Sequence, residues 1–170
     1  IGKEIVRFHA IIWPALLMAL DIPVPKRVFG HGWLLFGGDK LSKSKGENIK
    51  TEITDPKELV DRYGCDALRY FLLREIPFGT DGNYTTELFL NCINSDLANN
   101  YGNLVSRTFS MLKKYVGSVV PEIKGEEEEI DKDLKVSILT SVAEAKKHME
   151  TNFDVSKALA SIFEIFSKAN

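Results

Sequence analysis

A chain of 170 residues, 44% hydrophobic and 27% charged, can build one or two modest cores but not three large domains. Its 22 basic and 24 acidic residues leave a net charge of −2, so any nucleic-acid binding must come from a local patch rather than a basic surface. No stretch has the length and apolarity of a membrane span, and no signal peptide is visible.

Apolar residues at Ile5, Phe8, Ile12, Leu16 and Leu20 recur near the helical period and predict a helix over residues 1–20. Pro14 lacks an amide hydrogen and predicts a kink or a fresh turn there. The prolines at Pro23 and Pro25 end the helix. Residues 28–36 read as a buried strand interrupted at Gly30-His31-Gly32. A loop over residues 37–48 follows at its carboxyl end, which is where ligands sit in open α/β sheets.

Asp55-Pro56-Lys57-Glu58 is a helix start, with Asp55 as cap and Pro56 at the first helical position. That helix ends near Tyr63-Gly64, and Asp66 is expected to cap the next. Residues 77–82 read as a loop. From Thr85 a long helical stretch runs to about Val116, with Asn99-Asn100 and Gly102 as candidate breaks, and Leu104, Phe109 and Leu112 expected to turn inward. A short acidic linker over residues 125–129 leads to two more helices, at 130–149 and 154–169, with Asn152 as a turn residue and Asp154 as a cap. Antiparallel helices joined by short loops make a bundle.

Cys65 and Cys92 form no C-x-x-C pair, so no zinc knuckle can be built from them. Two buried thiols in a reducing cytoplasm are expected. The chain opens on Ile1-Gly2-Lys3-Glu4, without Met, and reads as part of a longer protein.

The loop over residues 37–48 carries the chemistry. Lys40, Lys43 and Lys45 alternate with the hydroxyls of Ser42 and Ser44, flanked by Gly37, Gly38 and Gly46. Ammonium and hydroxyl groups together suit a polyphosphate whose charge is moving, and flanking glycines suit a loop that closes and reopens. The same composition also describes an ordinary solvated turn.

Lys40-Leu41-Ser42-Lys43-Ser44 resembles the KMSKS signature of class I aminoacyl-tRNA synthetases, with Leu in place of Met. The surrounding chain is similar to the methionyl-tRNA synthetase family, over residues 1 to about 119 and more loosely to 170. Phe8-His9-Ala10-Ile11-Ile12-Trp13-Pro14 carries the narrower resemblance. His9 and Trp13 are four apart and share a helix face; on its own, such a Trp is more often core packing. An aromatic wall also suits a thioether.

The resemblance implies an α/β remnant of a Rossmann-type catalytic domain followed by a mainly helical anticodon-binding bundle, mostly α overall. It implies a catalytic part over residues 1–50, a stem-contact connector over 51–83 and an anticodon-binding part over 84–170. Asp66-Ala67-Leu68-Arg69-Tyr70 falls in the connector and is assigned no chemistry. Phe8, His9 and Trp13 are implied to line the methionine pocket. Gly2 and Glu4 are implied at the ATP ribose, where the family's Gly-Lys-Asp has the shorter carboxylate. Gly30-His31-Gly32-Trp33-Leu34 is similar to the family's His-Gly strand, which implies His31 near the phosphates and Gly32 and Leu34 facing adenine. Lys43 is implied as the main electrostatic group, assisted by Lys40 and Lys45, with Ser42 and Ser44 binding phosphate. Asn103 and Arg107, also four apart, are similar to an anticodon-reading pair.

The activity so implied is a cytoplasmic methionine–tRNA ligase. It would take methionine, ATP with Mg²⁺ and tRNA(Met), bind no membrane, and hold zinc only in an upstream insertion outside this sequence. The chain alone is expected to form no methionyl-adenylate. Two other readings stand beside it: a class I synthetase for leucine, isoleucine, valine or cysteine, and a non-catalytic tRNA-binding module.

Overall fold

The computed structural model describes residues 1–37, 39–40, 55–122 and 125–170. The predicted first helix is present but changes winding along its length. A 3₁₀ turn at Lys3–Ile5 and a π-wound segment at Phe8–Ile12 lead into α1, Trp13–Ala19. Pro14 explains the change. It offers no hydrogen to the carbonyl four residues back and crowds it, so the preceding turn widens and Trp13 N–H reaches Phe8 O instead.

The predicted strand is shorter than expected. β1 is Leu34–Phe36 alone, while His31 makes a single parallel bridge to Gly2. β2, Asp39–Lys40, pairs antiparallel with β1, placing Lys40 opposite Leu35. Ser42, Lys43, Ser44 and Lys45 lie outside the described residues.

α2, Pro56–Tyr63, starts as expected, with the Asp55 carboxylate accepting the Lys57 N–H at 2.9 Å. Gly64, at φ +88°, turns the chain directly into α3, Cys65–Glu75. This corrects the expected cap. Asp66 lies inside the first turn of α3, where its charge suits the helix dipole, and makes no capping bond. β3, Gly82–Tyr84, went unforeseen and joins β1 in parallel, giving the sheet order β2-β1-β3.

The Thr85 hydroxyl caps α4, Thr86–Cys92, by accepting the Leu88 N–H. A π-wound segment, Ile93–Gly102, carries the same helical rod into α5, Asn103–Val116. The candidate breaks at Asn99-Asn100 and Gly102 are therefore a change of pitch. α6, Glu129–Asn152, and α7, Val155–Ala169, form the antiparallel pair. The turn residue between them is Phe153, at φ +54°, rather than Asn152, which closes α6. Asp154 caps α7 by accepting the Lys157 N–H.

The core gathers Leu59, Phe71, Tyr84, Phe89 and Cys92. It bridges the proposed connector and the head of the proposed helical part. Phe71 meets Tyr84 edge-on at 5.7 Å between centroids and Phe89 at 5.4 Å. Cys65, expected to be buried, is exposed at the first residue of α3. Phe109, expected inward, is 67% exposed, while Leu104 and Leu112 are half-buried.

Polar ties join the layers. The Tyr70 hydroxyl donates to Asp96 at 2.8 Å, Arg74 pairs with the same carboxylate at 3.2 Å, and the Ser156 hydroxyl donates to Arg74 O at 2.7 Å. Burial and the Asp96 carboxylate push the Tyr70 phenol up, keeping it a donor. Among the described residues no helix is long and apolar enough to cross a membrane.

Candidate functional site

Two backbone bonds set the site's edge. Lys3 N–H donates to His31 O at 2.9 Å, and His31 N–H donates to Ile1 O at 2.8 Å. They hold Gly2-Lys3-Glu4 beside the His31-Gly32 segment, so residues implied for the ribose and the phosphates do meet. His31 Nδ1 donates to Gly32 O at 2.9 Å.

The Glu4 carboxylate accepts the Trp33 indole N–H at 2.9 Å. Over that same indole, 4.1 Å from the ring centroid, sits the Lys3 ammonium. Lys3 in turn pairs with Asp81, with one bond at 2.7 Å, and Asp81 also accepts the Trp33 backbone N–H at 2.9 Å. The Lys3 ammonium, and after it the Trp33 amide, hold the Asp81 carboxyl below the usual carboxylate range. Gly32 makes the packing possible. A Cβ there would lie 1.9 Å from Thr80 O, against backbone that cannot give way.

The aromatic row lies on the next turns. His9 packs edge-on between Phe8, at 5.5 Å between centroids, and Trp13, at 6.1 Å. The wider π winding over Phe8–Ile12 leads into the Trp13 turn, and His9 Nδ1 donates back to Ile5 O at 3.0 Å. Phe8 is 52% and Trp13 39% exposed, so neither is spent on the core of the described residues.

Leu34 sits at the start of β1, opposite Gly82. Lys40 is fixed at the sheet edge through its backbone. On the helical side, Asn103 and Arg107 are both exposed on α5. Asn103 Nδ2 donates to Asn99 O at 2.9 Å, and Arg107 donates to the Asn170 side chain at 3.1 Å. They share a face, and each bonds a different partner.

Sequence reasoning missed Lys3, Trp33 and Asp81 as side chains. Asp81 stands 78 residues from Lys3 in the chain, inside a turn-like Gly-Thr-Asp-Gly run, and no local pattern pairs them.

The fold is that of a part of the class I aminoacyl-tRNA synthetases. The family model described as "tRNA synthetases class I (M)" matches residues 1–109, and the chain belongs to that family, the methionyl-tRNA synthetases. The methionine–tRNA ligase of Caldanaerobacter subterraneus subsp. tengcongensis is 54% identical over the whole chain, and that of Oceanobacillus iheyensis 51%. The chain spans 26% and 24% of those two proteins. Among solved structures it resembles a Mycobacterium tuberculosis methionyl-tRNA synthetase in complex with methionyl-adenylate. That match has a TM-score of 0.88 and 41% identity, covering 98% of this chain and 31% of the other.

Proposed function

We propose that this chain supplies part of the ATP and methionine sites, and part of the anticodon-reading surface, of a methionine–tRNA ligase. The observation that carries the reading is the aromatic row Phe8, His9 and Trp13, left open on the helix whose first turn bears Glu4 and borders His31. The likeness to a synthetase solved with methionyl-adenylate supports it.

In this reading the methionine carboxylate attacks the α-phosphorus of ATP, taken with Mg²⁺ as substrate. The bond to the leaving pyrophosphate breaks and a mixed anhydride forms. A hydroxyl at the tRNA(Met) 3′ end then attacks the activated carbonyl and AMP leaves. No side chain serves as nucleophile; the protein positions groups and stabilises charge. Lys43, with Lys40 and Lys45, faces the phosphates, while Ser42 and Ser44 add hydroxyl donors. Gly2, Glu4, His31, Gly32 and Leu34 border the nucleoside. The division at residues 1–50, 51–83 and 84–170 is kept as the domain plan.

Two experiments test the parts, both in the full-length protein that carries this chain. Trp13→Ala and His9→Ala should each weaken methionine binding by about tenfold or less, given sulfur–ring contacts of about 0.3–1.5 kcal/mol each. Equilibrium titration with methionine checks this, and unchanged affinity in both variants would remove the pocket assignment.

Arg107→Ala should impair charging of tRNA carrying the methionine anticodon and spare pyrophosphate exchange. Its guanidinium has Asn103 and Met111 at the helical neighbours i−4 and i+4, so no carboxylate on its own face holds it. Its bond to Asn170 is to a neutral amide and exposed, and RNA can replace it. A lost base-edge contact is worth about 1–3 kcal/mol by analogy with DNA readout. Equal losses on a tRNA with another anticodon would reassign Arg107 to backbone contact or stability.

A further inference from the structure

The turn over residues 77–82 is packed directly behind the segment that borders the nucleoside. Phe78 stacks on Phe29 at 4.4 Å between centroids, and Thr80 backbone closes on Gly32 so tightly that no side chain fits there. At the end of this turn, Asp81 touches both segments of the edge at once, taking the Trp33 amide from one and the Lys3 ammonium of the 3₁₀ turn from the other. Lys3 lies over the Trp33 ring, and the Trp33 indole N–H ends on Glu4. The contacts form a continuous path from Asp81 to the Glu4 carboxylate.

We propose that Asp81 is a positioning residue for nucleotide binding, acting through Lys3 and Trp33 to set the orientation of the Glu4 carboxylate toward the ribose. The need for such a device follows from Glu4 itself. Glu has one more methylene than Asp, so its carboxylate has an extra rotatable bond to fix before it can serve as a preorganised acceptor. The indole N–H fixes one of its oxygens. The indole is fixed in turn from its face by Lys3 and from its backbone by Asp81. Asp81 stays ionised because the same ammonium and amide hold its carboxyl down, so the path does not loosen at neutral pH.

This inference rests on the reading of Gly2, Glu4 and His31 as the nucleoside edge. The variant Asp81→Asn keeps shape and an oxygen for the Trp33 amide, but turns an amide donor toward the Lys3 ammonium. In the full-length protein it should raise the KM for ATP about tenfold in methionine-dependent pyrophosphate exchange, the scale of a displaced rather than deleted binding group. The KM for methionine should stay within about twofold, because the Phe8, His9 and Trp13 row is untouched. The preference for ATP over 2′-deoxy- and 3′-deoxy-ATP should narrow. Lys3→Met, which leaves Asp81 bonded to the Trp33 amide, should move the same quantities in the same direction by less.

An unchanged KM for ATP with an intact ribose preference would overturn the role of Asp81. So would equal losses in both KM values and kcat with a lowered melting temperature, since Asp81 would then be a fold staple. If the parent protein itself shows no methionine-dependent exchange, the nucleotide reading falls and the inference falls with it. If the parent exchanges and discriminates the ribose, the result bears on Asp81 alone.

Discussion

Alanine at Lys43 is expected to slow methionine-dependent pyrophosphate exchange about 10²–10³-fold in the full-length protein, the usual effect of deleting one preorganised charge-stabilising donor. The argument starts from where charge moves. As the carboxylate oxygen approaches the α-phosphorus, negative charge shifts onto the departing pyrophosphate. A fixed ammonium gains more from that shifted charge than from the ground state, so its loss lowers the rate more than the affinity. Lys40 and Lys45, proposed as assisting groups, would keep part of the field, which sets a floor under the expected loss. Methionine affinity should barely move, because Phe8, His9 and Trp13 lie on a separate helix. A rate within about threefold of the parent would remove Lys43 from the chemistry.

What the sequence disclosed, and what it hid, follows the range of each interaction. Caps were legible because they are local: Asp55 and Asp154 each accept an amide within three residues, as expected. The His9–Trp13 pair was legible because its members are one helical turn apart. β3 was not, because Gly82-Asn83-Tyr84 is too short to alternate, and only the partner strand β1, some 48 residues away, makes it a strand. The same distance hid the path from Asp81 to Glu4. Pro14 and the rod over residues 86–116 show a third kind of miss. Composition signals that the helix is disturbed there, but whether it kinks, breaks or widens to a π turn depends on backbone bonds that composition does not specify. The misplaced cap at Asp66 was a competition: Gly64 turned the chain first, at a φ that an L side chain rarely adopts.

Phe71→Ala is expected to destabilise the protein by about 3–5 kcal/mol, the range for emptying a buried phenylalanine site. The ring is fully buried, and its two closest aromatic neighbours, Tyr84 and Phe89, are each 1% exposed. The cavity would open at the centre of the buried cluster Leu59, Phe71, Tyr84, Phe89 and Cys92, where the neighbouring rings are held by one another. At about 2–4 °C per kcal/mol for a domain of this size, the melting temperature should fall by roughly 6–20 °C. Phe109→Ala is the matched control: the same atoms leave an exposed site, and the change should stay within about 0.5 kcal/mol. Thermal melts of both variants beside the parent decide the matter, and equal shifts would show that the aromatic cluster is not the core. The consequence reaches the site through one strand. Tyr84 is the last residue of β3, which pairs with Leu34–Phe36 and follows Asp81 directly. Loosening its packing frees the end of the strand that holds the turn behind Trp33. A partly folded Phe71 variant should therefore lose ATP affinity before it loses methionine affinity, because among the described residues the aromatic row Phe8, His9 and Trp13 has no ring contact with this cluster.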